Sequence, residues 1–169
     1  MGSVPFDRLW EVAESAESSM IRIEMVAGFP VWEAMPGPQH QSHVFRIQQS
    51  IARNAGNSSD CGCFHYADTY VRFADGSLKR PDISIFCQLP KEKDEAITLF
   101  PEAVIEVICR GYEIKDMQIG LPFYLSQGVK DVVILNPDTL AVLHARRDGT
   151  RSLISPVEIR LECGCVCLV

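Results

Sequence analysis

The stretch "AVIEVICR", residues 103–110, sets one glutamate inside a run of β-branched and small apolar residues, and this limits what the chain can fold into more than any other segment. β-Branched side chains favour extended backbone, and in a strand residues two apart share a face. Val104, Glu106, Ile108 and Arg110 therefore fall on one face, with Ile105, Val107 and Cys109 on the other. A carboxylate embedded in such a run must be paired, protonated or metal-bound, because burying it bare costs several kcal/mol. "LKRPDISIFC", residues 78–87, repeats the theme. Proline has no N–H to give a ladder and is confined to strand ends. Pro81 thus puts Asp82 near the end of a strand over 81–87, on the more polar face with Ser84 and Phe86.

Two carboxylates on neighbouring strands make a site for a divalent cation. Hard cations such as Mg²⁺ take carboxylate oxygens and keep several waters, a combination suited to phosphodiester hydrolysis. The alternative is simple ion pairing, Glu106 with Arg110 or Asp82 with Arg80.

At 169 residues and 47% hydrophobic, the chain suits one domain spanning 1–169 with a single buried core. A net charge of −6 supplies no whole-molecule positive field for nucleic acid, though a local basic groove stays open to it. "MGSVPFDRLW" lacks the basic start and apolar run of an export signal, and no stretch reaches the roughly 20 apolar residues of a membrane span. A cytoplasmic protein with no membrane partner is expected. The seven cysteines are then expected as reduced thiols rather than a disulfide framework.

Phe6, Leu9, Trp10 and Val12 predict a short amphipathic helix over about residues 5–18. In "IRIEMVAGFPVWEAM", Ile21, Ile23 and Met25 alternate with Arg22 and Glu24 until Gly28 interrupts, which predicts a hairpin. Pro36 and Pro38 mark the entry to a helix carrying Val44, Ile47 and Ile51. Strands are expected around 61–73, 81–87 and 103–109. "EIKDMQIGLPFYLSQGV" follows as a helix kinked or restarted at Gly120 and Pro122. "KDVVILNP" and "LAVLHAR" are strands joined at "NPD". A strand, helix, strand order over 103–136 predicts a parallel crossover, so the sheet is mixed.

The ordered set "IRIEMVAGFPVWEAMPGPQHQSH", "RPDISIF", "AVIEVICR" and "FYLSQGVKDVVILNP", spanning residues 21–137, resembles the putative restriction endonuclease family of the PD-(D/E)XK nuclease superfamily. The resemblance implies an α/β fold: a restriction-endonuclease-like core with a central mixed β-sheet flanked by helices. It further implies a Mg²⁺-dependent endonuclease, with Mn²⁺ as a substitute, in which Asp82 and Glu106 are metal ligands and a lysine helps activate water. Nucleic acid, DNA in the first place, is the implied partner, and a homodimer the implied assembly.

The superfamily's usual lysine position, two residues after the acid, is Ile108 here. In this family the lysine comes from the following helix, and this chain has Gly120 at that place. Lys115 is the nearest replacement as the third catalytic residue. On an ideal helix five residues mean about 140° of rotation and about 7.5 Å of displacement, so Gly120 and Pro122 must reshape the helix for Lys115 to serve. "CRGY" also replaces the family's Ser-Pro-Ser-Thr-like stretch after the glutamate. These departures support a second reading, a catalytically inactive interaction module on the nuclease fold.

His40 matches the family's histidine after the Met-Pro segment, as a phosphate contact or an orienting group, against an exposed or capping residue. His43 lies three residues on. Glu24 matches a recurrent family glutamate, against a solvent-facing strand residue. "CGC" at 61–63 and again at 163–165 offers four sulfurs for a zinc-stabilised structural site, against cysteines that simply fill the core. The C-terminal "VEIRLECGCVCLV" is a sheet strand or a strand contact with a second copy.

Overall fold

The computed structural model describes residues 6–169. Helix α1 (Phe6–Ser18) is the expected amphipathic helix: Ala13 is buried and Trp10 meets Tyr70 edge-on, while Val12 stays exposed. Strands β1 (Ile21–Val26) and β2 (Phe29–Ala34) form the expected hairpin. Ala27 and Gly28 both take positive φ in its two-residue turn, the geometry that matches the twist of the flanking strands. Helix α2 (Pro38–Ser50) opens on a proline, where no N–H is needed, and buries His40, Val44 and Ile47.

After α2 come β3 (Ala52–Arg53), β4 (Phe64–Ala67), β5 (Val71–Arg72), β6 (Leu78–Lys79), β7 (Ile83–Phe86) and β8 (Ala103–Val107). A π-helical segment, Lys115–Gly120, runs into α3 (Leu121–Ser126), followed by β9 (Asp131–Leu135), β10 (Ala141–Arg146), β11 (Gly149–Ile154), β12 (Glu158–Arg160) and β13 (Cys165–Leu168).

The central sheet runs β11-β10-β9-β8-β7-β4. Its β8–β9 pair is parallel and is the crossover expected over 103–136; the other pairs are antiparallel. All five residues of both β8 and β9 are buried, as a sheet covered on two faces requires. Ile83, Ile85, Ile105, Val107, Val133 and Leu135 pack on one face with Val44 and Ile47 of α2. Phe86, Val104, Val132 and Ile134 pack on the other with Phe123 and Tyr124 of α3. The result is the expected α/β architecture, a mixed sheet between helices.

A four-stranded sheet, β2-β1-β6-β5, lies beside it, and a three-stranded one, β12-β13-β3, carries the C-terminus. In β1 the buried residues are Arg22 and Glu24, whereas Ile21, Ile23 and Met25 are only partly covered. The polar face of this strand is the one turned inward, because Met25 pairs with Leu78 and so brings Glu24 opposite Lys79.

Several expectations need correction. The strand expected over 61–73 is two strands in different sheets, β4 and β5, with 61–63 outside both. The strand expected over 103–109 ends at Val107, so its two-residue alternation does not carry to Arg110, which is exposed. Of the two readings of the C-terminal run, the sheet strand is the one that forms, with β12 on one side of β13 and β3 on the other. The cysteines are not all reduced: Cys61–Cys87 and Cys63–Cys165 are disulfides, leaving Cys109, Cys163 and Cys167 as thiols. Folding brings these Cα pairs to 4.2 and 5.9 Å across 26 and 102 residues of sequence, a proximity that spacing along the chain does not reveal. Among the described residues no helix is long and apolar enough to cross a membrane.

Candidate metal centre

Asp82 stands immediately before β7, where Pro81 ends the ladder, and Glu106 lies in β8. The antiparallel register, Ile83 opposite Ile105, continues outward to set Asp82 against Glu106. The Asp82 N–H donates to Glu106 Oε2 at 3.0 Å. In return, Asp82 Oδ2 accepts the Val107 N–H at 2.8 Å, and it also meets His40 Nε2 at 3.0 Å. Arg22 Nη1 lies 3.7 Å from Asp82 Oδ1, and the Tyr124 hydroxyl donates to Glu106 Oε1 at 2.7 Å. Asp82 is 6% exposed and Glu106 1%, so both charges sit in low dielectric.

The two acids respond to this burial in opposite ways. Burial pushes Glu106 well above the usual carboxylate range, and the negative charges of Asp82 and Asp116 push it further, against Lys115 and Lys79. Burial also acts to raise Asp82, but the hydrogen bond and charge of His40, the Arg22 charge and the Val107 N–H offset it, and its pKa is lowered. For His40, burial favours the neutral ring; the bond to Asp82, with Cys109 and the Asp82 charge, overcomes this and lifts it to about 10. The surroundings thus set the two groups apart, favouring the anion at Asp82 and disfavouring it at Glu106.

Behind Glu106 lies a second charged layer. Lys79, fully buried, reaches Glu24 Oε2 at 2.5 Å and lies 5.3 Å from the centre of the Tyr124 ring. The Arg80 N–H donates to Glu24 Oε1 at 2.7 Å. Lys115 Nζ is 3.9 Å from Glu24 Oε2 and 3.4 Å from Asp116 Oδ1. Burial works to raise Glu24, but Lys79 and Lys115 outweigh it and bring it down to about 2.

Lys115 reaches this cluster because the helix is not an ideal α-helix. The Leu121 N–H bonds to the Asp116 carbonyl across five residues, the signature of a π-turn. The wider turn brings residues five apart closer to one face, so the rotation that separates positions 115 and 120 in an α-helix is reduced. Gly120 permits it: a Cβ there would lie 3.2 Å from the Lys115 carbonyl oxygen.

Asp82, Glu106, Lys115, His40 and Glu24 are therefore brought together, and neither His40 nor Glu24 is the surface residue of its alternative reading. His43 is not part of the group and instead meets Arg46 on the outer face of α2 at 2.9 Å. The alternative ion pairs do not form as expected: Arg80 turns to Asp68 and Glu17, and Arg110 faces solvent. Arg22, Lys79, Asp116 and Tyr124 complete the cluster and were not singled out by sequence reasoning. The alternation of Arg22 with Glu24 was the one available signal for the first. For Lys79, only its place three residues before Asp82 hinted at a role.

A cleft of about 290 Å³ is lined by His40, the hydrogen-bond partner of Asp82, with Ile108, Cys109, Arg110 and Pro137. The oxygen donor set suits a hard divalent ion such as Mg²⁺ or Mn²⁺. Each carboxylate accepts two hydrogen bonds here and, once ionised, has lone pairs left for a cation.

The fold is shared with a putative nuclease of DUF820 from Anabaena variabilis, whose crystal structure matches with a TM-score of 0.66 at 18% identity, covering 92% of this chain and 88% of that one. No curated protein gives a significant match. The profile of the Uma2 family, described as putative restriction endonuclease, matches residues 8–162, a longer span than the segments that carry the resemblance in the sequence. With nearly its whole length inside that match, the chain belongs to this family.

Proposed function

We propose that the protein is a divalent-metal-dependent nuclease that hydrolyses phosphodiester bonds of DNA, with Asp82 and Glu106 holding Mg²⁺ or, in its place, Mn²⁺. The observation that carries this reading is Glu106: a buried acid, further disfavoured as an anion by Asp82 and Asp116 and set against Asp82 across the strand pair, whose ionised form a cation held by Asp82 and Glu106 would favour. Such a cation supplies Lewis-acid charge at a phosphodiester and acidifies water.

The chain's own groups have distinct parts. His40, protonated across the neutral range, fixes the Asp82 carboxylate from the cleft side. Val107 N–H holds the same carboxylate from behind, and Tyr124 fixes Glu106. Lys115 supplies positive charge toward Glu106 and, in this reading, stands in for the lysine of the family.

A second reading, a catalytically silent binding module, is favoured by one observation: the ammonium groups of Lys79 and Lys115 both turn to Glu24. Calorimetric titration of Mn²⁺ and Mg²⁺ into the wild type and Asp82→Asn, followed by nicking assays on supercoiled DNA, separates the two. Binding lost in the variant together with metal-dependent nicking supports the nuclease. Binding without nicking supports the silent module, and no binding in the wild type removes the metal site itself.

A further inference from the structure

The two disulfides do not account for the sulfur chemistry of this chain. Cys61 is bonded to Cys87, yet its sulfur also lies 3.6 Å from that of Cys165, the partner of Cys63. The sulfurs of Cys61, Cys63 and Cys165 all lie within 4.8 Å of one another, and so do those of Cys61, Cys87 and Cys163. Four sulfurs thus gather around that of Cys61, including one thiol, Cys163, that takes part in neither bridge.

Three separate segments deliver them. The first "CGC" precedes β4, Cys87 follows β7, and the second "CGC" forms the turn from β12 into β13. The segments are locked together by backbone contacts: the Gly62 N–H donates to the Cys87 carbonyl at 2.9 Å, and the Ser59 hydroxyl donates to the Cys163 carbonyl at 2.6 Å. Gly164 is required by this approach: a Cβ on it would fall 2.5 Å from Ser59 Cβ.

We propose that these cysteines form a second metal site, which takes one Zn²⁺ through four thiolates when the bridges are reduced. A tetrahedral zinc with Zn–S of about 2.3 Å sets its sulfurs about 3.8 Å apart, close to the Cys61–Cys165 separation. Thiolates select soft or borderline ions, and a buried site with no open position is of the structural kind. Cys61, Cys63, Cys163 and Cys165 are all buried. Each disulfide takes two electrons and two protons from a thiol reductant, which leaves as its own disulfide. Zn²⁺ then displaces the thiol protons into solvent.

The site lies at the end of β7 opposite Asp82, about 16 Å away at the rise of an extended strand. It is independent of the carboxylate pair and ties the C-terminal sheet to the edge of the central one.

The test is titration of the full-length protein, purified metal-free under a thiol reductant, with Co²⁺ and then Zn²⁺. The expected result is one thiolate-bound Co²⁺ per chain, read from sulfur-to-cobalt charge-transfer absorption that Zn²⁺ abolishes. It should survive in Asp82→Asn and Cys167→Ala and disappear in Cys61→Ser. Zinc-edge X-ray absorption on the wild type, showing four sulfurs at about 2.3 Å, decides the matter if Cys61→Ser fails to fold. Absence of the charge-transfer band in the reduced wild type, or a nitrogen and oxygen shell at the zinc edge, overturns the proposal.

Discussion

Asp82 and Glu106 are joined through the backbone as well as through space: the N–H of Asp82 donates to the Glu106 carboxylate at 3.0 Å, while the residue after Glu106 donates its own N–H to Asp82 at 2.8 Å. The ladder between β7 and β8 is thereby extended by side chains past the point where Pro81 ends it. This holds Asp82 at the start of β7 and Glu106 within β8, the rigidity that the proposed metal site calls for.

Removing either acid is expected to abolish divalent-cation binding. Glu106→Gln keeps the shape and the Tyr124 contact but cannot carry the charge, so calorimetry should show no Mn²⁺ uptake while thermal unfolding stays cooperative. Uptake equal to wild type would mean that the ion binds elsewhere.

His40→Phe removes the group that orients Asp82 from the cleft. Loss of such a supporting hydrogen bond typically weakens a metal site about 10- to 100-fold. The same pair bears on stability of the metal-free protein. Because His40 is raised to about 10, its contribution is complete below its ordinary 6.5 and is lost as the pH rises through about 10. Urea unfolding of the metal-free wild type should weaken over that interval, and His40→Phe should lack the trend.

Glu24→Gln leaves Lys79 buried without its charge partner, which should cost about 3–5 kcal/mol. Glu24→Gln with Lys79→Met should recover most of this, since no buried Lys79 charge is then left without its partner. The pH dependence has the opposite sign to that of His40. Glu24 is lowered from 4.5 to about 2, so its stabilisation is present above 4.5 and lost as the pH falls toward 2. Acid unfolding midpoints of the wild type and the double variant provide the measurement.

Lys115→Met separates catalysis from binding. If Lys115 serves the reaction, nicking should fall by at least about 100-fold with Mn²⁺ affinity little changed. An unaltered nicking rate would leave Lys115 as an ion-pair partner of Asp116 and Glu24 only.

Much of this was legible in the chain itself. β-Branched runs at 83–86, 103–107 and 131–135 could form only buried strands, the 103–136 order required a parallel crossover, and Pro81 announced the strand end at Asp82. Those features depend on local backbone preference and on a two-residue period, both of which a sequence displays directly. Other features depend on which surfaces meet. The alternation in β1 showed two faces but not that Arg22 and Glu24 would turn inward, because that follows from pairing with β6, more than 50 residues away. Nor could Lys115 be placed while its helix was taken as ideal; a π-turn, allowed by the close approach at Gly120, moved it into the cluster. The gathering of five sulfurs likewise came from three distant segments closing on one another. Sequence alone determined the buried strands at 83–86, 103–107 and 131–135 and marked the two acids as candidates, since these are local properties of the chain; tertiary structure decided the partners of every buried charge named here, because a charge is settled by what packs against it and not by its neighbours in sequence.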